Sequence, residues 1–451
     1  MNSQKIANQP VPELVLKISI PIMISMLIQA LYNIVDSKFV SMIDEKAFTA
    51  VSIAFPIQNL MISLAIGAAV GSNSLLSRSL GEKNKELTSK VALNSLFLCV
   101  VHSIIFLIFG LALSRQYFES QTTDLTIIKY GVDYITVITG VSIFVFIQIM
   151  TERLLQATGK TLFTMLSQGI GAIINIILDP ILIFGLFSFP AMGVKGAAIA
   201  TVTGQGVGAT IAILSNHFYN REVEFNFSKP DFETIKKIYD VGLPSFALMS
   251  ITSVAVYFLN KILNQFSDSA VAILGAYFKL QSFIFMPLFG LTNGMVSTLA
   301  YNYGAANKER CMEIIRFCMK VGIIICTIGF LIFQIFPAQL ISFFNPSQEM
   351  YEQGIPALRI VSTCFILAAY NIVAGSTFQA LGNGMISFCS SLVRQIVALV
   401  PAAYFLSLLG RIEYVWSSYL IAEIINFIYS RYFIKNYTYK KINERAITIK
   451  G

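Results

Sequence analysis

The chain has 451 residues, of which 55% are hydrophobic and only 12% charged, about half the charged share of about 25% that an ordinary soluble chain carries. A globule of this size cannot hide so many apolar side chains from water, so lipid is the solvent for most of the chain. At about 38 residues for one span and its connection, the length allows about twelve spans and leaves no room for a separate soluble catalytic domain.

Apolar runs of helical length centre on 14–41, 50–77, 91–113, 134–157, 162–187, 194–217, 240–266, 270–299, 317–336, 358–380, 386–409 and 413–434. They are continuous rather than alternating, which speaks for helices and against a membrane barrel. The first run follows no compact basic stretch with a small-residue cleavage site and is read as a retained helix. An even number of spans puts both termini on one side. Basic residues choose that side. With the N-terminus inside, twenty Lys and Arg fall in inner segments, among them Arg78, Lys83, Arg153, Lys160, Arg221, Lys308 and Lys440, against five in outer ones, Lys46, Arg115, Lys129, Lys195 and Arg411. The termini are therefore expected in the cytoplasm and the protein in the cytoplasmic membrane. The net charge of +8 then reflects topology and contact with anionic head groups, not nucleic acid.

The six cysteines sit in apolar stretches without a CxxC pair and read as buried apolar residues. The two histidines, His102 and His217, are too few for imidazole metal chemistry, and His102 reads as a packed residue. Gly159-Lys160-Thr161 imitates the end of a phosphate loop, but Leu154 stands where its first glycine is required, so no nucleotide is expected. With no HExxH or GxSxG sequence, an intramembrane enzyme has little support.

Sliding the sequence along itself by 223 residues aligns Pro21 with Pro244, Lys38 with Lys261, Gln58 with Gln281, Gly67 with Gly290 and Gly71 with Gly294. Gly81, Asn84 and Lys85 fall on Gly304, Asn307 and Lys308, and Gln156-Ala157 with Gly159 on Gln379-Ala380 with Gly382. Two parallel six-span repeats follow: a first lobe over 1–217, a polar linker at 218–239 and a second lobe with its basic tail at 240–451. Such a repeat is a transporter plan. Gly67xxxGly71, Gly204xxxGly208 and Gly290xxxGly294 read as faces for close helix approach.

A carboxylate inside a membrane costs about 2.5 to 3.5 kcal/mol on the insertion scale and needs a reason. Asp36 lies within the first span, and Gln29, Tyr32 and Asn33 precede it by seven, four and three residues, on the same helical face. In the fifth span Asn175 and Asp179 stand at i and i+4, and Pro180 frees a backbone carbonyl. Carboxylates, an amide oxygen and a free carbonyl suit a hard monovalent cation or a shared proton.

The proline-bearing first helices of the two repeats, the loops SLGEKNKE and NYGAANKE, QATGKT and NIILDP resemble the multidrug and toxic compound extrusion (MATE) family over essentially the whole chain. The resemblance implies an all-α membrane protein of twelve helices in two pseudo-symmetric six-helix lobes. It also implies export of small organic compounds in exchange for H⁺ or Na⁺, without ATP or a bound cofactor. Asp36, Asn175 and Asp179 match the first-lobe cation site of the DinF-like branch, where Na⁺ is a candidate ion, and Thr201 matches a hydroxyl ligand less closely. Gln29 and Tyr32 match residues of the adjacent substrate cavity, to which Asn33, Gln168 and Lys279 are also assigned. Pro21 and Pro180 are the expected hinges. The acidic residues that other branches carry in the seventh and tenth helices are absent here.

Within the spans, this reading places Asp36 and Asp179 with one lysine in the first lobe. Lys261, Lys279 and Arg394 with Glu423 stand in the second. Glu423 either pairs with one of those bases, or the bases face the cargo and favour anionic or zwitterionic compounds. A monomer in contact with lipids and small-molecule substrates is expected. A lipid-linked precursor flippase of the same superfamily is the alternative, although such proteins usually carry two more helices and an arginine-rich cleft.

Overall fold

The computed structural model describes residues 9–223, 229–344 and 346–450, which form helices and turns with no strand among them. The first repeat contains α1 (Val11–Ser41), α2 (Glu45–Gly81), α3 (Lys85–Ala112), a short α4 (Ser114–Gln121), α5 (Leu125–Gly140), α6 (Ile143–Ala157), α7 (Thr161–Phe184) and α8 (Gly193–Tyr219). The second contains α9 (Phe232–Leu263), α10 (Asp268–Gly304), α11 (Lys308–Ile335), a short α12 (Pro337–Ser342), α13 (Gln348–Ser362) and α14 (Phe365–Ala380). It ends with α15 (Gly384–Leu392), which continues through a π-helical stretch, Val393–Leu399, into α16 (Val400–Ser407), and then with α17 (Ile412–Phe433) and a terminal α18 (Tyr439–Lys450).

Among the described residues, nine helical segments are long and apolar enough to cross a bilayer, with α15 to α16 counted as one, and two bent pairs pass the same test when each is taken as one span. α17 is less apolar than these, but its 22 residues reach about 33 Å, long enough for a twelfth span. The runs expected as straight helices at 134–157 and 358–380 are broken, α5 from α6 by 46° and α13 from α14 by 49°. At each break the backbone tightens from i−4 to i−3 bonding. Ser142 donates to the Thr139 carbonyl and Thr363 to that of Ile360, and both segments remain apolar, so hydropathy alone does not reveal the bend.

The 223-residue offset governs the turns as well as the helices. Lys83 and Ala306 both take left-handed backbone angles, φ 56° and 53°, and the following Asn84 and Asn307 cap α3 and α11 by accepting from the N–H groups of Leu87 and Arg310 at 3.0 and 3.2 Å. Gly159 and Gly382 repeat the pattern with φ 73° and 78°. At Gly159 and Gly382 the left-handed angle costs little because glycine has no Cβ, and the aligned asparagines are favoured caps, whereas Lys83 and Ala306 enter the same region without that advantage.

Two compact units contain these helices: Ile24–Leu243 belong to one, and Ala7–Met23 with Pro244–Gly451 to the other. A division at 217 and 240 therefore needs correction at the ends of two helices. The start of α9 packs in the first unit, where Ile238 joins the cluster of Leu75, Leu76, Val91 and Leu154. Residues 232–239 thus open a helix instead of belonging to a linker, and Asp231 supports that start by accepting from the Thr234 hydroxyl at 2.5 Å. The start of α1 packs in the second unit, with Val11 and Val15 in the cluster of Leu259, Leu288 and Leu291. The paired glycines make both seats possible. A methyl group on Gly71 would overlap the Ile238 carbonyl, and one on Gly294 would overlap Ser19. Ser19 also donates to the Leu291 carbonyl at 3.2 Å.

Candidate functional site

In the first unit, α7 carries a buried stripe of Thr164, Ser167, Gly171, Asn175 and Asp179, spaced by three and four residues as one helical face requires. α8 lies against it through glycines: a methyl group on Gly171 would come 2.7 Å from the Gly204 carbonyl oxygen, and one on Gly204 2.6 Å from that of Gly171. The close approach brings Thr201 to Asn175. With its amide nitrogen toward Asp179, Asn175 donates to Oδ2 at 3.1 Å and its oxygen accepts from the Thr201 N–H at 3.0 Å. The amide oxygen is then engaged by backbone, which leaves the carboxylates as the principal open ligands. α7 runs unbroken through Pro180 to Phe184.

α1 completes the cluster. The Tyr32 hydroxyl reaches the Thr201 side chain, and both Asp36 and Asp179 act on Tyr32 electrostatically. Asp36 and Asp179 also lie within electrostatic reach of each other. Each keeps one buried carboxylate oxygen, Oδ1, without a hydrogen-bond partner. A second tyrosine, Tyr134 of α5, is placed among Asp36, Tyr32, Asp179 and Gln58. Two carboxylates with open oxygens in an apolar medium require a positive countercharge, and oxygen-only donors fit a proton or an alkali cation.

The other expected residues are distributed more widely. Gln29 is exposed on α1, and the side chain of Asn33 lies outside the described ones. Pro21 is inside α1, two residues before the helix passes from the second unit to the first. Gln168 belongs to a different cluster, where it donates to Glu152 at 2.8 Å. Lys279 is exposed on α10, with its Nζ 6.0 Å from the centre of the Phe344 ring. Lys261 lines an open groove with Tyr257, Asn260, Asn264 and Val271. Glu423 pairs with Arg394 at 3.0 Å, the expected pairing with one of the three bases, and accepts from the Asn371 amide at 2.6 Å. His102 is likewise satisfied, 2.6 Å from the Tyr239 hydroxyl.

Glu152 was not among the expected residues. It is 3% exposed on α6, the second half of a bent apolar pair, and so joins Asp36 and Asp179 as a carboxylate on an apolar helix of the first unit. Its position four residues after Gln148 was the available signal, since i and i+4 share a helical face.

A sequence model of the MatE family matches residues 21–181 and again 244–405, one match in each repeat. The multidrug export protein MepA of Staphylococcus haemolyticus (strain JCSC1435) is 26% identical over 411 residues, 90% of this chain and 89% of that protein. Among solved structures, a MATE protein in complex with MaL6 superposes with a TM-score of 0.91 at 25% identity over 99% of each chain. A MOP superfamily transporter from Pyrococcus furiosus Vc1, whose reverse polarity of the binding pocket suggests a different function, has a TM-score of 0.88 at 26% identity over 96% of this chain and 98% of that one. Matched in both repeats over more than half of its length, the chain belongs to the MatE family of membrane transporters.

Proposed function

We propose that the protein is a cation-coupled antiporter that exports small organic compounds across the cytoplasmic membrane, with both termini in the cytoplasm. One observation carries the coupling: Asp36 and Asp179, each with a buried oxygen lacking a partner, share a cluster with Asn175, Thr201 and Tyr32. The name of the staphylococcal relative, a multidrug export protein, supports the cargo class. Neither ATP nor a bound cofactor has a place in this scheme, and the working unit is a monomer in contact with lipid and cargo.

In the proposed cycle, cargo is held while the two aspartates are empty. A cation arriving from outside binds between them, and because Asp36 and Tyr32 lie on the same helix, the new attraction repositions α1 and releases cargo outward. Pro21 and Pro180 accommodate the movement. One charge crossing 100 mV provides about 2.3 kcal/mol, and one pH unit adds about 1.4 kcal/mol. Together they support accumulation of several hundredfold.

Efflux from proteoliposomes under separately imposed proton and sodium gradients tests the scheme and identifies the ion. Asp36→Asn should lower gradient-driven efflux at least about tenfold while leaving expression intact. Full activity in that variant would refute the assignment.

A further inference from the structure

Glu152 accepts from Ser167 Oγ at 2.8 Å and Gln148 Nε2 at 3.2 Å through Oε1, and from Gln168 Nε2 at 2.8 Å through Oε2. All three donors are neutral. The charged group acting on it is Arg153, on its own helix, and Arg153 directs a hydrogen bond to Gln156 Oε1 at 3.0 Å. From α7 and α8 the site is met by Ser167, Gln168 and the Gly208 carbonyl, which takes the Ser167 hydroxyl at 2.8 Å as an alternative to Glu152; none of these titrates. Gln168 Oε1 is buried without a partner. The site therefore suits either protonation state: an ionised Glu152 receives the Gln168 amide N–H, and a protonated one donates to the same amide after it turns over.

A separate chain of polar groups starts at the backbone carbonyl of the neighbouring Thr151 and ends at Lys160, in the turn between α6 and α7. Asn216 donates to the Thr151 carbonyl at 2.9 Å, Asn220 to Asn216 Oδ1 at 2.9 Å, and Lys160 to Asn220 Oδ1 at 2.9 Å. In the opposite direction, Gln168 and Asp179 are eleven residues apart on α7, about 16 Å along the axis, with the packed Gly171–Gly204 contact between them.

We infer that Glu152 is a proton station on the cytoplasmic half of the first unit, which takes the coupling proton from the Asp36–Asp179 pair and yields it to cytoplasmic water. This rests on the antiport reading above. In the transfer an aspartic acid loses its proton and Glu152 carboxylate gains it, and Glu152 then loses that proton to water, so charge balances at each step. The glycine contact keeps the two stations off a single static file. Exchange between them accompanies movement of the helices, which prevents an uncoupled proton leak.

The test uses full-length protein in sodium-free proteoliposomes with ethidium as cargo, comparing wild type, Glu152→Gln and Asp36→Asn. Glu152→Gln should retain ethidium/ethidium exchange within about twofold and lose pH-gradient-driven accumulation at least about tenfold. If it accumulates like wild type while Asp36→Asn does not, the inference falls and the antiport reading stands; if both accumulate like wild type, the antiport reading falls as well. Loss of exchange together with weakened ethidium affinity would make Glu152 a cargo ligand and also overturn the inference. In a parallel preparation with an imposed sodium gradient and no pH gradient, accumulation driven by sodium alone, with none driven by the pH gradient in the sodium-free one, would overturn the inference and keep antiport. Should Glu152→Gln not fold, Glu152→Asp must shift the pH profile of driven efflux, and an unshifted profile overturns the inference.

Discussion

Asp179 and Asn175 were legible because i and i+4 spacing within one span is visible in a linear chain. Their link to Asp36 and Tyr32 depends on packing of α1 with α7 and α8, which spacing does not encode. Glu152 was hidden for the same reason: its donors Ser167 and Gln168 follow it by fifteen and sixteen residues on another helix, and the surrounding ERLLQATGKT reads as the end of a span. At the first site, Asp179→Asn should abolish Na⁺ binding measured by calorimetry if sodium is the coupling ion, because it removes one of two charges that offset cation desolvation. The Arg394–Glu423 pair, with side chains 27% and 7% exposed, predicts a different pattern. Arg394→Ala leaves a buried carboxylate uncompensated and should cost about 3 kcal/mol of stability, seen as a lower unfolding midpoint. Adding Glu423→Gln should recover much of that loss.

For the helices, the sequence carried the apolar segments, their approximate limits and the repeat. It did not carry the bends in the fourth and tenth spans, since Ser142 and the Thr363–Cys364 step interrupt hydrogen bonding without interrupting apolarity. The paired glycines read as packing faces, but their partners, the starting segments of α9 and α1, were not apparent, because those partners come from the opposite repeat. Gly71→Ala and Gly294→Ala should lower the unfolding midpoint, since backbone or Ser19 must shift to admit a methyl group. Gly275→Ala, on a helix with nothing within 4 Å of the added carbon, should leave it unchanged or raise it slightly by helix propensity. Equal effects at all three positions would contradict the close-approach role.

At the scale of the whole molecule, the asymmetry of basic residues predicts membrane sidedness. In a cysteine-less background, a membrane-impermeant maleimide added to intact cells should label Gln121→Cys, at the end of α4, and spare Lys83→Cys, in the turn before α3. The reverse pattern would invert the topology and with it the direction assigned to transport. Among the charges on the apolar helices, Asp36, Glu152 and Asp179 belong to the first unit, and the Arg394–Glu423 pair with Lys261 and Lys279 to the second. That division favours the first unit as the place where the driving cation acts.

The interchanged ends of α1 and α9 bear on how the chain is made. The second unit needs Ala7–Met23, which leave the ribosome more than two hundred residues before Pro244, so the earliest segment must wait in the membrane without its eventual neighbours while the first unit assembles. The first unit, in turn, lacks part of its core until Ile238 is synthesised. Assembly thus cannot proceed as two independent halves in succession, and a chain cut after residue 217 would yield two fragments, each missing a piece that the other carries.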